Sequence, residues 1–573
     1  MRRNLFLTSI ASVSLLAACT PESTPVDTDG SSGIPVTSAT APETTGPGTD
    51  TDTDATDTDP TTDTDPTTDT DPTTDTDPTT DPSTDTDPTT DPSTTGSSSD
   101  GPKFDLSALP DANEDGIGGD FGIPETCAQA NQVESAVGCE FYSLDCDNLS
   151  SGETQPYGVI VSNVQEEQAA EAFVEEKQNG NWVTIAGPQQ IQPLDSYVFE
   201  LPDNHQEGSG LAVGGAYRIV TDVPTVAYQF NPIDGQSSFT TDASLLFPTA
   251  SWDYIYEVIG YRVTIGYGSY VNIIASVDNT EVEITPSGST VAGPGIPAGA
   301  ANQPFILNLD EGDVAQVATV DTANATMTGT KIESDEDHPI GVISGTECTN
   351  TGQGACDHME EMLTGVRLWG LEFVASRMPI RQVNSPEETF WMIYASEDNT
   401  TINIEGAPGV TGLPNGPVML NAGEFVEYQV TGPVDNPGDF FVSADKPIAV
   451  MATLIGISGG DGDPAMMQMS PVEQFLPRYV LLVPGTWIND YLVITRPAGA
   501  QVEVDGVLVP DMEFIPVGNG DYEVARLLTP DGVHSVDGLG DPVSASVVGF
   551  DSYDSYAYLG GVGTSVINPA PQG

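Results

Sequence analysis

Ile274-Ala275-Ser276-Val277-Asp278-Asn279-Thr280-Glu281-Val282-Glu283-Ile284 and Tyr394-Ala395-Ser396-Glu397-Asp398-Asn399-Thr400-Thr401-Ile402-Asn403-Ile404 decide the fold. The two stretches start 120 residues apart and share one form: strand, Asp-Asn turn, strand. Asn and Asp tolerate unusual dihedrals and bond their own backbone, which suits a tight turn. Alternation puts Val282 with Ile284, and Ile402 with Ile404, on one face, with Asn403 on the other.

Working outward, a second mark recurs. Asp222-Val223-Pro224, Asp337-His338-Pro339, Asp445-Lys446-Pro447 and Asp541-Pro542 each precede an apolar or alternating strand. The connectors rhyme as well: Asp242-Ala243-Ser244 runs on to Trp252, Asp357-His358-Met359 to Trp369, and Asp463-Pro464-Ala465 to Phe475 and Trp487. Their apolar parts are expected to pack between neighbouring units. No stretch of the body has a long helical period. The expected class is all-β: four diverged antiparallel β-sandwich-like units in a compact row, preceded by a disordered stalk. The limits read from these marks are 105–240 for a first unit with a Cys-containing lead-in, 241–347 for a second, 348–458 for a third with a disulfide loop, and 459–573 for a fourth.

The N-terminus reads differently. Arg2 and Arg3 precede an apolar run ending in Leu16-Ala17-Ala18-Cys19. The run is too short to span a bilayer and reads as an export signal over 1–18. The last four residues resemble a bacterial lipobox, which implies cleavage before Cys19 and a lipid anchor on it. Residues 19–104 then form a stalk: Asp50 to Asp91 holds 15 Asp, and no Lys or Arg lies between Arg3 and Lys103. Repelling charge, Pro and Thr leave nothing to bury, so the stalk is expected to lack fixed structure.

The whole chain has 86 acidic and 14 basic residues, a formal charge of -72. A basic footprint for phosphate is absent, so nucleic acid is excluded as a partner. The body after residue 102 carries 66 acids against 12 bases.

Five cysteines remain once Cys19 is assigned to lipid. In an exported chain they are expected to pair. Cys348 with Cys356 is the expected short loop, and Cys127 with Cys139 the choice in the lead-in, leaving Cys146 odd. Calcium is a weak candidate cofactor at Asp111, Asn113 and Asp115, which match the opening of a calcium loop, although Gly122 stands where its closing Glu belongs. His358, flanked by Cys356, Asp357, Glu360 and Glu361, is a candidate metal ligand. The competing disulfide favours reading these residues as solvated polar groups in a braced loop.

Gly138-Cys139-Glu140-Phe141-Tyr142, the strand pair from Ala275 to Ile284, Cys356-Asp357-His358 with Trp369-Gly370, and Asp463-Pro464-Ala465-Met466 carry a resemblance. Over roughly 120–560 the chain resembles the IgGFc-binding protein N-terminal domain family, as found in myxobacterial-type exported proteins. The resemblance transfers no binding residue, and binding is favoured over catalysis by the repeats on a stalk, whose many loops can bind without chemistry. No nucleophile elbow, zinc-protease motif or phosphate loop occurs. The expected function is that of a cell-surface or periplasmic lipoprotein module, lipid-anchored at the outer membrane or cell surface. It would adhere to an extracellular glycan or protein and meet the bilayer through its acyl anchor. The alternatives are a secreted carbohydrate-active hydrolase, needing two carboxylates in a cleft, or a purely structural envelope component.

Overall fold

A computed structural model describes residues 123–233, 239–352, 356–382, 384–456 and 462–571. The export signal, Cys19, the stalk, Asp111, Asn113 and Asp115 lie outside the described residues. Among the described residues are 32 strands and one α-helix, Cys127–Ala130, of four residues. The strands form six sheets built from antiparallel pairs, so the all-β expectation holds.

One order of pairing recurs along the chain. In the first stretch the 15-residue strand Tyr217–Asn231 serves two neighbourhoods. Its first half pairs with Gly138–Ser143 and Ala170–Gln178, and its second half with Tyr157–Asn163 and Asp242–Leu246. Phe440–Leu454 repeats this, pairing first with Gly370–Ala375 and Thr400–Gly406, then with Thr389–Ala395 and Ala465–Gln468. Elsewhere the long strand is broken in two. Lys331–Glu333 pairs with Ile255–Glu257 and Thr280–Thr285, and Ile340–Thr349 with Ser269–Ala275 and Asp357–Met362. Gly532–Asp537 and Ser544–Asp551 divide the same partners in the last stretch, the latter pairing with Asp554–Leu559.

The Asp-Pro marks sit at the joint between the two halves. Proline has no N–H to give a ladder, so it is tolerated where the strand passes from one set of partners to the next. Asp222 Oδ1 accepts the N–H of Glu171 at 2.6 Å, and Asp445 Oδ1 that of Thr401 at 2.7 Å, each the second residue of the corresponding strand. The register breaks at matching places: Gly138 and Glu140 face Thr225 and Val220, and Gly370 and Glu372 face Ile448 and Ser443.

The two Asp-Asn turns also occupy equivalent positions. Asn279 has φ 64° and Asn399 φ 57°, and the next residue, Thr280 or Thr400, donates its hydroxyl back to Val277 or Glu397 at 2.7 Å. They are not hairpins. Ser269–Ala275 pairs with Val314–Ala318 and Ile340–Thr349, whereas Thr280–Thr285 pairs with Phe305–Leu309 and Lys331–Glu333. The first turn therefore carries the chain from one sheet to another, and the second joins two strands that pair with different halves of Phe440–Leu454 within one sheet. Val282, Ile284 and Ile402 are wholly buried, as alternation requires, and Asn403 is exposed. Ile404 is only half-buried, because its end of the strand runs past the three-residue neighbour Val418–Leu420.

The expected row is instead closed on itself. Asp242–Leu246, Asp357–Met362, Ala465–Gln468 and Asp554–Leu559 each end their sheet, and each packs against the next, the last returning to the first. A seam joins the beginning and end of the body: Ser135 bridges Gly563, Ala136 N–H donates to Val562 at 3.1 Å, and Thr564 N–H to Glu134 at 2.8 Å. The ring centroids of Tyr228 and Tyr558 lie 4.6 Å apart, tilted by 37°, across the same junction. A row would leave sheet edges open to other chains, and closure covers them.

Candidate functional site

A sheet edge carries unpaired backbone N–H and C=O groups that must find partners when buried. Where the four edges meet, side chains replace the missing strand. Asp242 Oδ2 accepts the N–H of Glu360 at 3.1 Å and of Met466 at 3.2 Å, and its Oδ1 that of Ala243 at 2.9 Å. Ser244 Oγ accepts the N–H of Met362 at 2.8 Å and donates to Glu361 Oε2 at 3.0 Å. Glu361 Oε1 accepts the N–H of Gln468 at 2.9 Å, and Ser555 Oγ that of Asp463 at 2.9 Å. These bonds join all four edge strands. Burial pushes the Glu361 carboxyl up to about 8, against the pull of its two donors. Burial likewise pushes Asp242 well up, opposed by its backbone N–H partners.

Each edge strand brings an Asp to this meeting point. Asp242, Asp357 and Asp554 are first residues of their strands, and Asp463 stands just before Ala465. Their exposures are 0%, 0%, 1% and 4%. Among the described residues, the carboxyl of Asp357 accepts no hydrogen bond from an N–H or hydroxyl within bonding geometry, while Asp463 has the Ser555 hydroxyl beside it as a side-chain partner. Their carboxyls stand against each other, in contact that forms a hydrogen bond only when one holds a proton. Burial, then the Asp463 charge, pushes Asp357 far above the usual carboxylate range. Burial also raises Asp463, while Arg381 opposes the rise. The Arg381 side chain is fully buried, pairs with Glu387 at 3.3 Å, and donates to the Ile455 carbonyl.

His358 is not in a solvated loop. It lies in the strand Asp357–Met362, wholly buried, with Nε2 3.3 Å from the equally buried Glu360 Oε2. The short disulfide loop ends at Cys356, and the edge strand begins at the next residue, so His358 lies beyond the loop. Both expected disulfides are formed, Cys127–Cys139 and Cys348–Cys356, and Cys146 is free and buried. Burial first, and the Glu360 charge next, raise the Cys146 thiol.

Two further clusters went unread in the sequence. The donor atoms of Asp145, Asp203 and His205 lie within 4.8 Å of one another, as do those of Glu153, His205 and Glu207. His205 Nδ1 is 2.7 Å from Asp203 Oδ1. Burial works against the His205 charge, but Asp203 and Glu153 outweigh it and raise the pKa. Asp145 is pushed up to about 7 by burial, despite accepting the N–H of Asn204 at 3.0 Å. Asp203, His205 and Glu207 alternate along one loop, and Asp145 and Glu153 join them from a distant stretch of chain, so no complete ligand motif stands in the sequence. Such a group can hold a cation by its chemistry, and a weak cation-binding capacity is what it supports.

Among the described residues, two of the cavities hold about 10 Å³ each, with room for about one water. One lies where the edge strands end, lined by Phe247, Glu361, Met362, Gln468 and Met469, and the other is lined by Asp145, Asn272 and Gln316. Neither accommodates a sugar ring between two carboxylates.

No curated protein and no solved structure matches the chain. One family matches, described as IgGFc binding protein, over residues 242–549. The match is shorter than the span of 120–560 expected from sequence, and it leaves out the first set of sheet strands. It begins at Asp242, the first of the four buried aspartates, and takes in more than half of the molecule: the chain belongs to the IgGFc-binding protein family.

Proposed function

We propose that this protein is a surface-presented binding module that adheres to an extracellular protein or glycan. The observation that carries the reading is membership of a family of non-catalytic binding domains over residues 242–549. The body is read as four diverged copies of one sandwich, and the repeated order of pairing supports that. The strands Asp242–Leu246, Asp357–Met362 and Ala465–Gln468 pair back onto the sheet before them, which favours unit limits just beyond these strands. Closing the edges leaves loops as the outward face, where recognition without chemistry is commonly placed. Lipid attachment through Cys19, the 19–104 stalk and an outer-membrane or cell-surface position complete the proposal, supported by the lipobox-like run and the stalk composition.

The test is saturable binding by the full chain to an array of extracellular glycans and proteins that includes immunoglobulin Fc, the ligand in the family's description. Saturable capture of one class, without turnover of it, is the expected result. Release of product from any arrayed glycan would replace the reading with the hydrolase alternative.

A further inference from the structure

We propose that the meeting point of the four edge strands is a site for one divalent, oxygen-preferring cation of the calcium class, bridging the carboxylates of Asp357 and Asp463. Three observations converge on it. First, an Asp stands at or just before the start of every edge strand: Asp242, Asp357, Asp463 and Asp554. The residues that follow each Asp differ, being Ala243, His358, Pro464 and Ser555. Second, bonding to open backbone edges accounts for Asp242 but not for the pair. Asp242 takes three N–H groups, whereas among the described residues both carboxylate oxygens of Asp357 are buried without an N–H or hydroxyl donor, and Asp463, facing it, has the Ser555 hydroxyl beside it. A buried carboxylate with no donor costs several kcal/mol unless it is neutralised or meets a cation.

Third, the local charge does not balance. Arg381 faces Asp463 but is also paired with Glu387. Asp242 and Asp554 also face Asp357, and both carry the same sign as the pair. Two routes neutralise the site: protons, in line with the raised pKa values of the pair, or a metal ion. Calcium takes roughly six to eight oxygen ligands, carboxylates foremost, and tolerates irregular geometry. Asp357 and Asp463 supply carboxylate oxygens from the second and third repeats of the pairing order, so the ion would fasten one edge strand to the next. Asp242 and Asp554 would add charge around it. The cluster at His205 is a separate place, nearer the surface and already internally bonded.

The experiment is thermal unfolding of the full chain at about pH 8, in chelator and in calcium, with bound calcium counted by equilibrium dialysis. Unfolding of the body does not report calcium that merely screens the acidic 19–104 segment. Calcium at a hundredfold over its dissociation constant should raise the folding equilibrium constant about 100-fold. The shift should vanish in Asp357→Asn and in Asp463→Asn and persist in Asp203→Asn. In chelator, Asp357→Asn should unfold at or above the wild-type temperature, because it removes a repelling charge. If the wild type shows no calcium shift, or if Asp357→Asn keeps all of it, the proposal is wrong. Stabilisation by acid alone, in going from about pH 8 to about pH 6 with no response to calcium, would assign the site to protons only.

Discussion

Replacing Glu361 by Gln should stabilise the protein at neutral pH, the opposite of what loss of a buried, doubly bonded carboxylate usually does. Glu361 is 4% exposed and receives Gln468 N–H and the Ser244 hydroxyl. Its carboxyl is pushed up to about 8, chiefly by burial and further by Glu360. An unfolded Glu titrates near ~4.3. Between those two values the folded protein holds a proton that the unfolded chain has released, so stability falls as pH rises through this window and levels off above about 8. At pH ~7 the accumulated penalty is about 2.7 pH intervals of 1.36 kcal/mol, or roughly 3–4 kcal/mol. Gln has the same shape, accepts the Gln468 N–H through its carbonyl, and can turn its amide toward Ser244. We expect a gain on the order of 2–3 kcal/mol at pH ~7, shrinking to near zero at pH ~4, where wild-type Glu361 is protonated in both states. Urea unfolding of both proteins across that range measures the difference, in which the other raised acids cancel. A variant less stable than wild type at pH ~7, or a difference that does not change with pH, would refute the reasoning.

Ile402→Ala should cost about 2–5 kcal/mol, because Ile402 is wholly buried. Half-buried Ile404→Ala should cost less, and exposed Asn403→Ala under ~1 kcal/mol; equilibrium denaturation ranks the three. Cys146 should resist an aromatic disulfide reagent in the native protein and react within the first minutes of unfolding, since its thiol is inaccessible and its ionisation disfavoured. Fatty-acid labelling in cells should depend on Cys19, and label that survives Cys19→Ser would remove the anchor from the proposal.

What was legible in the sequence was local. The Asp-Asn turns and Asp-Pro joints could be read because dihedral tolerance and a missing N–H are properties of single residues, and they fell at equivalent places. Val282, Ile284 and Ile402 followed from alternation alone. Ile404 did not, because its cover depends on how far a partner strand extends. Ring closure could not be read from any one segment, since it depends on contacts such as Tyr228 with Tyr558 that are far apart in the chain. The buried acids were half visible. Asp242, Asp357 and Asp463 stood out as connector marks, but Asp554, within Asp551-Ser552-Tyr553-Asp554, had no proline or apolar run to flag it. His358 looked solvent-facing for the same reason: polar residues in an edge strand look like loop until the neighbouring edge is known.

The lead-in disulfide has a mechanical consequence. Tension arriving from the N-terminal side reaches Cys127 and crosses the sulfur bridge directly to Cys139, so the intervening residues carry none of it. The seam formed by Glu134, Ser135 and Ala136 with Val562, Gly563 and Thr564 lies inside that bypassed loop. A pull from that side is therefore borne by the strand Gly138–Ser143 and the long strand it pairs with, while the junction that holds the ring shut stays slack.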